Sequence, residues 1–261
     1  MDFSESQIQR YARHILLKEV GGVGQEKLLN SKVLVIGAGG LGSPLILYLA
    51  AAGVGTIGVV DSDVVDLSNL QRQIAHTTDR VGLSKVTSAG HAAAGINPEV
   101  KLAEYHGRID LDNARELVRG YDVIAGGSDN FPTRFLVNDA CFFEKRTLVS
   151  AAVLRFDGQL STFKPHAGGP CYRCLYPEPP PPGQIPSCDQ AGVLGAVAGV
   201  MGTLQATEVL KELLGIGESM AGRLLIYDAL ATVMRQVKVK PDPECPLCSP
   251  KATIKELMLH S

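Results

Sequence analysis

Two pairs of cysteines and one glycine-rich turn are the reactive or ligand-binding patterns in this sequence. Cys171 and Cys174 in "CYRC", and Cys245 and Cys248 in "CPLC", form two C-x-x-C pairs far apart in the chain. Four thiolates in two such pairs are the ligand set of a tetrahedral zinc site. Four sulfur ligands leave no open position on the metal, so the expected role is structural; a redox pair is the alternative. The second feature is "VIGAGGLGSP", with Gly37, Gly39, Gly40 and Gly42. Gly37, Gly39 and Gly42 make G-x-G-x-x-G between an apolar run, "KVLVIG", and a helix-like run, "LGSPLILYLAAAG". Such glycines let the backbone turn tightly and approach a phosphate, while the helix start supplies N–H donors. Asp61 closes the next apolar run, "TIGVVD", where a carboxylate meets ribose hydroxyls.

The residues after Asp61 do not suit a nicotinamide cofactor. "LSNLQRQ" supplies Asn69, Arg72 and Gln73, and Lys85 comes at the head of the next helix-like run. A guanidinium fork and an ammonium point charge match a triphosphate, whereas the turn alone satisfies most of a dinucleotide's pyrophosphate. Asp129 in "GGSDN" ends another apolar run, and a carboxylate there beside a triphosphate would be a natural Mg²⁺ ligand. Its alternative role is a helix N-cap, which Asn130 could fill as well. The expected ligand is therefore ATP. Of the remaining cysteines, Cys141 lies in an apolar helical run and is expected in the core. Cys188 precedes a glycine-rich helical run, where a thiol can gain nucleophilic character or simply be an unreactive loop residue.

The surrounding segments alternate between strand-like and helix-like patterns. An N-terminal helix is expected from the capping-box spacing of Ser4 and Gln7, with Ile8, Tyr11, Ile15 and Leu16 on one face; Gly21, Gly22 and Gly24 break it. Apolar strands and helices then alternate as far as "TLVSAAV". This predicts an α/β, Rossmann-like, largely parallel sheet flanked by helices. Beyond residue 155, "GQLSTFKP", "GRLLIYDA" and "TVMRQVKVK" read as strands of a second half with antiparallel pairing, stapled by zinc. The uncharged stretch Gln190 to Thr207, between Asp189 and Glu208, is too short and glycine-rich for a membrane span and is expected to be a buried helix. With 261 residues, 45% hydrophobic, the chain can bury a core, and a formal charge of −2 without a basic run argues against general nucleic-acid binding. "MDFSESQIQRYARHILL" lacks the basic start and apolar core of a signal peptide, so a cytoplasmic location is expected.

Together, "GAGGLGSP", "LSNLQRQ" after Asp61, Lys85, "SDN", "CYRC", "SCDQAGV" and "CPLC" resemble the ThiF/MoeB adenylyltransferases, relatives of the ubiquitin-activating enzymes. The resemblance runs from "RYARHIL" to "CPLC". It implies a homodimer that uses MgATP to adenylate the C-terminal glycine of a small ubiquitin-like sulfur-carrier protein ending in Gly-Gly, releasing pyrophosphate. It implies one adenylation domain over 1–261, with a helical arm (1–30), a nucleotide-binding half (31–155) and a carrier-binding, zinc-containing half (156–261). By the same resemblance Asp61 holds the ribose, Asn69, Arg72 and Lys85 the phosphates with Gln73 beside them, and Asp129 the Mg²⁺. Arg13 would reach into the partner subunit's site. Cys188 joins later sulfur transfer in some relatives and is dispensable in others. No rhodanese-like segment comes after "CPLC", so a separate sulfur donor protein is expected.

Two branches of the family are close. "IYDA" near Asp228 leans toward the carrier of the molybdenum cofactor pathway, the small subunit of molybdopterin synthase; the thiamine carrier is the alternative. Other readings explain less. A tRNA-modifying dehydratase predicts a basic surface, a nicotinamide oxidoreductase leaves Arg72, Lys85 and Asp129 idle, and a non-catalytic carrier scaffold needs no phosphate clamp. Two departures from the family pattern are Ser128, where threonine is more familiar, and His14, where glutamine is common.

Overall fold

The computed structural model describes residues 3–181, 184 and 191–258. Helix α1 (Glu5–Ile15) starts with the expected capping box: the Ser4 hydroxyl accepts from Gln7 N, and the Gln7 side chain accepts from Ser4 N. Its apolar face is only partly used. Tyr11 is buried, whereas Ile8 and Leu16 are exposed. The glycines after it do not simply end a helix. Gly21, held at a positive φ of 59°, opens α2 (Gly21–Leu29), and Gly24 lies where a Cβ would press on Val20 and Leu214. Absence of a side chain there lets α2 approach the long C-terminal helix, a tertiary reason that the local pattern does not carry.

Strands β1 (Lys32–Ile36) and β2 (Thr56–Asp61) flank α3 (Gly42–Ala52). Then come α4 (Lys85–Ile96), β3 (Lys101–His106), α5 (Ala114–Arg119), β4 (Val123–Gly126), α6 (Phe131–Phe143) and β5 (Thr147–Leu154). Nearly every residue of β1, β2 and β4 is buried, as helices on both faces of a sheet require. β6 (Asp157–Phe163) turns back along β5, and after α7 (Tyr172–Leu175) and α8 (Gly195–Leu214) the chain completes its sheet with β7 (Arg223–Asp228) and β8 (Val233–Lys238). The strand order is β3-β2-β1-β4-β5-β6-β7-β8 in one eight-stranded sheet, parallel from β3 to β5 and antiparallel from β5 to β8. Strand order reverses between β1 and β4, so a crevice opens at their C-terminal ends.

The buried helix α8 is shifted from its expected bounds. It starts at Gly195, after Gly192 takes a positive φ of 78°, and it runs through Glu208 to Leu214. A carboxylate can sit inside this helix because Thr162 Oγ1, Met220 N and Lys211 Nζ all donate to it. No helix of the described residues is long and apolar enough to cross a membrane.

A buried ion pair joins the second half to α6. Arg173, between the first two cysteines, donates through Nε and Nη2 to the two carboxylate oxygens of Asp139 at 2.8 and 2.7 Å. Asn138 Oδ1 accepts from Tyr172 N beside it, and Phe135 lies under the guanidinium. Both charged side chains are almost fully buried, so each depends on the other to offset its desolvation. Asp139→Ala should lower unfolding free energy by about 3–5 kcal/mol, because it strands the guanidinium. Urea denaturation of wild type and variant measures this, and a loss below about 1 kcal/mol would show that the pair does not fix the two halves.

Candidate functional site

The glycine-rich turn Gly37–Gly42 lies at the crevice between β1 and β4. Its closure needs two of its glycines. Gly37 has φ +95°, and a Cβ on Gly42 would sit inside the carbonyl of Gly37. The turn is then held from three sides. Asp61, at the end of β2, accepts from Ala38 N through Oδ2 and from Asp63 N through Oδ1, both at 2.8 Å. His76 is buried between the Ala38 carbonyl and the Ser88 hydroxyl, each 2.9 Å from a ring nitrogen. With Nε2–H donating to the carbonyl, Nδ1 accepts from Ser88. Burial holds the His76 imidazole below its usual 6.5, opposed in part by its bond to Ala38.

"LSNLQRQ" wraps the outer edge of this turn. A short 3₁₀ turn at Leu67–Asn69 is capped by Asp66, and the Asn69 carbonyl accepts from Arg72 N and Gln73 N. The aliphatic stem of Arg72 lies against Gly40, where an added Cβ would stand 3.6 Å from Arg72 Cγ, and its Nη1 donates to Ser68 O. Gln73 is buried against Gly39, and its Oε1 finds no partner among the described residues. Buried amide oxygens are rarely left so, which suits a site completed by a ligand. The start of α8 braces the same segment, since Gly195 leaves room only for the Gln71 carbonyl.

Lys85, at the head of α4, is buried and pairs with Asp63 at 2.9 Å. That pairing holds the Asp63 carboxyl below its ordinary range. Sequence reasoning did not single out Asp63, because nothing in "VVDSDVVD" distinguishes it from its neighbours. His76 was missed for the same reason, being a lone histidine in a polar run. Asp129 lies beyond β4 as an exposed carboxylate, and the cap of α6 is Asn130, whose side chain accepts from Thr133 N. Asp129 is thus spared the capping role. Asp61, Arg72 and Gln73 therefore contact the Gly37–Gly42 turn, Asn69 holds the segment that carries Arg72 and Gln73, Lys85 is linked to the turn through Asp63 and Asp61, and Asp129 lies just past the neighbouring strand.

Arg13 is not part of that gathering. Its helix is anchored by Tyr11, which accepts from Asn97, and by Arg10, which donates to Ile96 O, both at the far end of α4. Cys188 lies outside the described residues. Cys141 is buried as expected, and burial pushes its thiol well above the ordinary range.

The four remaining cysteines converge. Cys171 and Cys245 sulfurs stand 3.5 Å apart, Cys174 and Cys248 3.4 Å, and Cys171 and Cys174 3.9 Å, with all four within 4.8 Å. Sulfurs around zinc at about 2.3 Å lie roughly 3.8 Å from one another at tetrahedral angles, so the donor set fits that ion. Leu247 and Ile254 bury the cluster, with Phe142 and Phe143 of α6 packed against it.

Comparison with known proteins bears on what this arrangement does. The model of the ThiF family matches residues 11–247. A SAMP-activating enzyme E1 of Haloferax volcanii is 50% identical over 95% of this chain and 91% of its own. A sulfur carrier protein adenylyltransferase of Thermus thermophilus is 47% identical over 99% of this chain and 97% of its own. Among solved structures, E. coli MccB superposes with a TM-score of 0.80 at 21% identity, over 99% of this chain and 77% of that one, and shares the fold.

Two measurements test the geometry. The fold holds His76 neutral, so as pH falls below about 6.5 the unfolded chain takes up the proton first and stability declines. His76→Gln should flatten the stability profile between pH 7 and pH 5 (about the span of an ordinary histidine titration); parallel profiles would refute the assignment. Removing bound metal with a chelator, checked by elemental analysis, should lower the melting temperature and loosen the segment carrying Cys245 and Cys248. An unchanged melting curve after verified removal would exclude a structural metal.

Proposed function

This chain belongs to the ThiF family of adenylyltransferases, and from that premise we propose that it activates a small ubiquitin-like sulfur-carrier protein ending in Gly-Gly. The observation that carries the reading is Arg72 lying against Gly40, which sets a guanidinium beside a phosphate-type turn at the strand-order reversal. A nicotinamide enzyme has no use for that cation. The relatives named as adenylyltransferases support the same chemistry.

In this reading ATP is the substrate. Asp61 keeps free lone pairs after its two backbone bonds and receives the ribose hydroxyls. Asn69, Arg72, Gln73 and Lys85 hold the phosphates; Lys85 spends one of its three N–H donors on Asp63. Asp129 is a hard oxygen donor with no hydrogen-bond or ion-pair partner among the described residues, so it fits a divalent cation, and Mg²⁺ held there with phosphate oxygens would neutralise charge on the leaving pyrophosphate. The carrier's terminal carboxylate is already ionised at neutral pH, so no general base is needed. One of its oxygens forms the bond to the α-phosphorus, the bond from that phosphorus to the bridging oxygen breaks, and the electron pair leaves with pyrophosphate. The residues' work is alignment and charge stabilisation.

We extend the proposal to a homodimer in which Arg13 serves the partner subunit's site. The remoteness of Arg13 from its own crevice and the exposed Ile8, Leu16, Leu17 and Val23 of the N-terminal arm support this. The chain would act as one adenylation domain, its zinc-containing half meeting the carrier and a separate protein donating sulfur. Zinc would be bound by Cys171, Cys174, Cys245 and Cys248 as a structural ion. For the carrier we favour the small subunit of molybdopterin synthase.

ATP–pyrophosphate exchange tests this directly, using a panel that includes the molybdopterin and thiamine carriers. Exchange with the molybdopterin carrier is expected; exchange only with the thiamine carrier would move the protein to that branch. No exchange with any carrier, despite ATP binding, would favour the RNA-modifying alternative. Asp129→Ala should cut exchange by at least about 100-fold with an unchanged melting curve, and full activity in that variant would remove Asp129 from the metal role.

A further inference from the structure

A narrow slot opens beside the glycine-rich turn on the α6 side of the sheet, and no group assigned above occupies it. Ile36 and Leu148 floor it, and Ser128, Thr133, Arg134 and Ser150 line it with polar groups. Ile36 and Ser150 both pair with Gly126, so the ends of β1, β4 and β5 lie level around its mouth. Gly127, the next residue, packs on Leu41 of the turn, which makes the slot a neighbour of the phosphate cradle.

Arg134 is the unusual member of this slot. It is half-buried in the first turns of α6, with its guanidinium in hydrogen-bonding reach of the Tyr172 phenol and close to that of Tyr176. No carboxylate of the described residues pairs with it. Three other arginines packed around α6 are neutralised, since Arg115 and Arg119 meet Glu144 and Arg173 meets Asp139, while Arg146 donates to the Arg119 carbonyl. A half-buried guanidinium with an apolar floor behind it and hydroxyls around it, beside a crevice, is a receptor for a planar anion.

We propose that Arg134, flanked by the hydroxyls of Thr133 and Ser150, receives the terminal carboxylate of the incoming carrier and holds it against the α-phosphorus. The inference rests on the adenylation reading and adds to it a group that touches the nucleophile. Its physical need is plain, because adenylation brings an anion up to a polyanion. Arg72 and Lys85 offset charge on the phosphate side only. A guanidinium on the carboxylate side offsets the repulsion of approach and fixes one carboxylate oxygen, leaving the other to form the bond to phosphorus.

The test compares the full wild-type chain with Arg134→Ala and Arg134→Lys, using the carrier that supports exchange and the same carrier with an amidated C-terminus. Wild type should bind the carboxylate form at least about 10-fold more tightly than the amide, and Arg134→Ala should lose that preference. In the exchange assay Arg134→Ala should raise KM for the carrier about 10-fold or more, with KM for ATP within about 2-fold of wild type. Arg134→Lys, which keeps the charge and loses the fork, should recover part of the carrier effect. If Arg134→Ala fails to fold, Arg134→Gln supplies the neutral variant. A neutral variant that keeps the carboxylate preference, or one whose KM for ATP rises in step with that for the carrier, overturns the assignment while leaving adenylation intact. Absence of exchange by wild type with every carrier overturns both.

Discussion

The close approach of backbone to backbone at the glycine-rich turn is the constraint on which the remaining structure depends. Gly42 begins α3 directly beneath the carbonyl of Gly37, and no side chain fits between them. That contact brings the start of α3 to the end of β1. Asp61 and His76 then hold the turn from β2 and from the segment before α4, so three consecutive parts of the fold share one small volume. The same economy recurs on the other side, where Gly202 of α8 lies against the Leu41 carbonyl and Pro44. Any bulk at these points would push apart the layers that form the crevice.

The second organising feature is how the C-terminal half is fastened to the first. The cysteine cluster gathers two distant segments, and the Arg173–Asp139 pair seats it on α6. The opposite end of α6 begins at Asn130, immediately after Asp129. One rigid helix therefore spans the distance between the sulfur cluster and the crevice, with Arg134 on its first turns. Gln205 of α8 adds a further tie, donating to the carbonyls of Gly126 and Val149 at the ends of β4 and within β5. The two halves share one sheet and one set of buried polar contacts.

Electrostatics divides the crevice into two sides. Arg72 and Lys85 approach from the β2 side, while Asp129 and Arg134 approach from the β4 side and α6. Lys85 is kept in place by Asp63, a neighbour that lowers the desolvation cost of an ammonium with a buried stem. In contrast, the carboxylate of Asp129 and the guanidinium of Arg134 carry no such oppositely charged partner among the described residues. Charged groups left uncompensated at the rim of a crevice are placed for charges that arrive from outside.

Much of this was legible in the amino-acid sequence, for local reasons. Apolar runs broken by glycine and proline marked the parallel strands, the Ser4–Gln7 spacing marked the first helix, and two C-x-x-C pairs marked the sulfur cluster, because each signal is carried by residues close together in the chain. The turn of Gly37–Gly42, with Asp61 and Arg72 nearby, was readable for the same reason. Other features were not local. Glu208 within α8, the start of α2 at Gly21, the buried Arg173–Asp139 pair, the Lys85–Asp63 contact and the lack of a carboxylate partner for Arg134 among the described residues all depend on partners distant in sequence or on what is absent nearby. Backbone conformations and ligand types are set by residues close together along the chain, whereas the pairing of charges is settled by folding, because compensation of a buried charge is a property of the space around it and not of its chain neighbours.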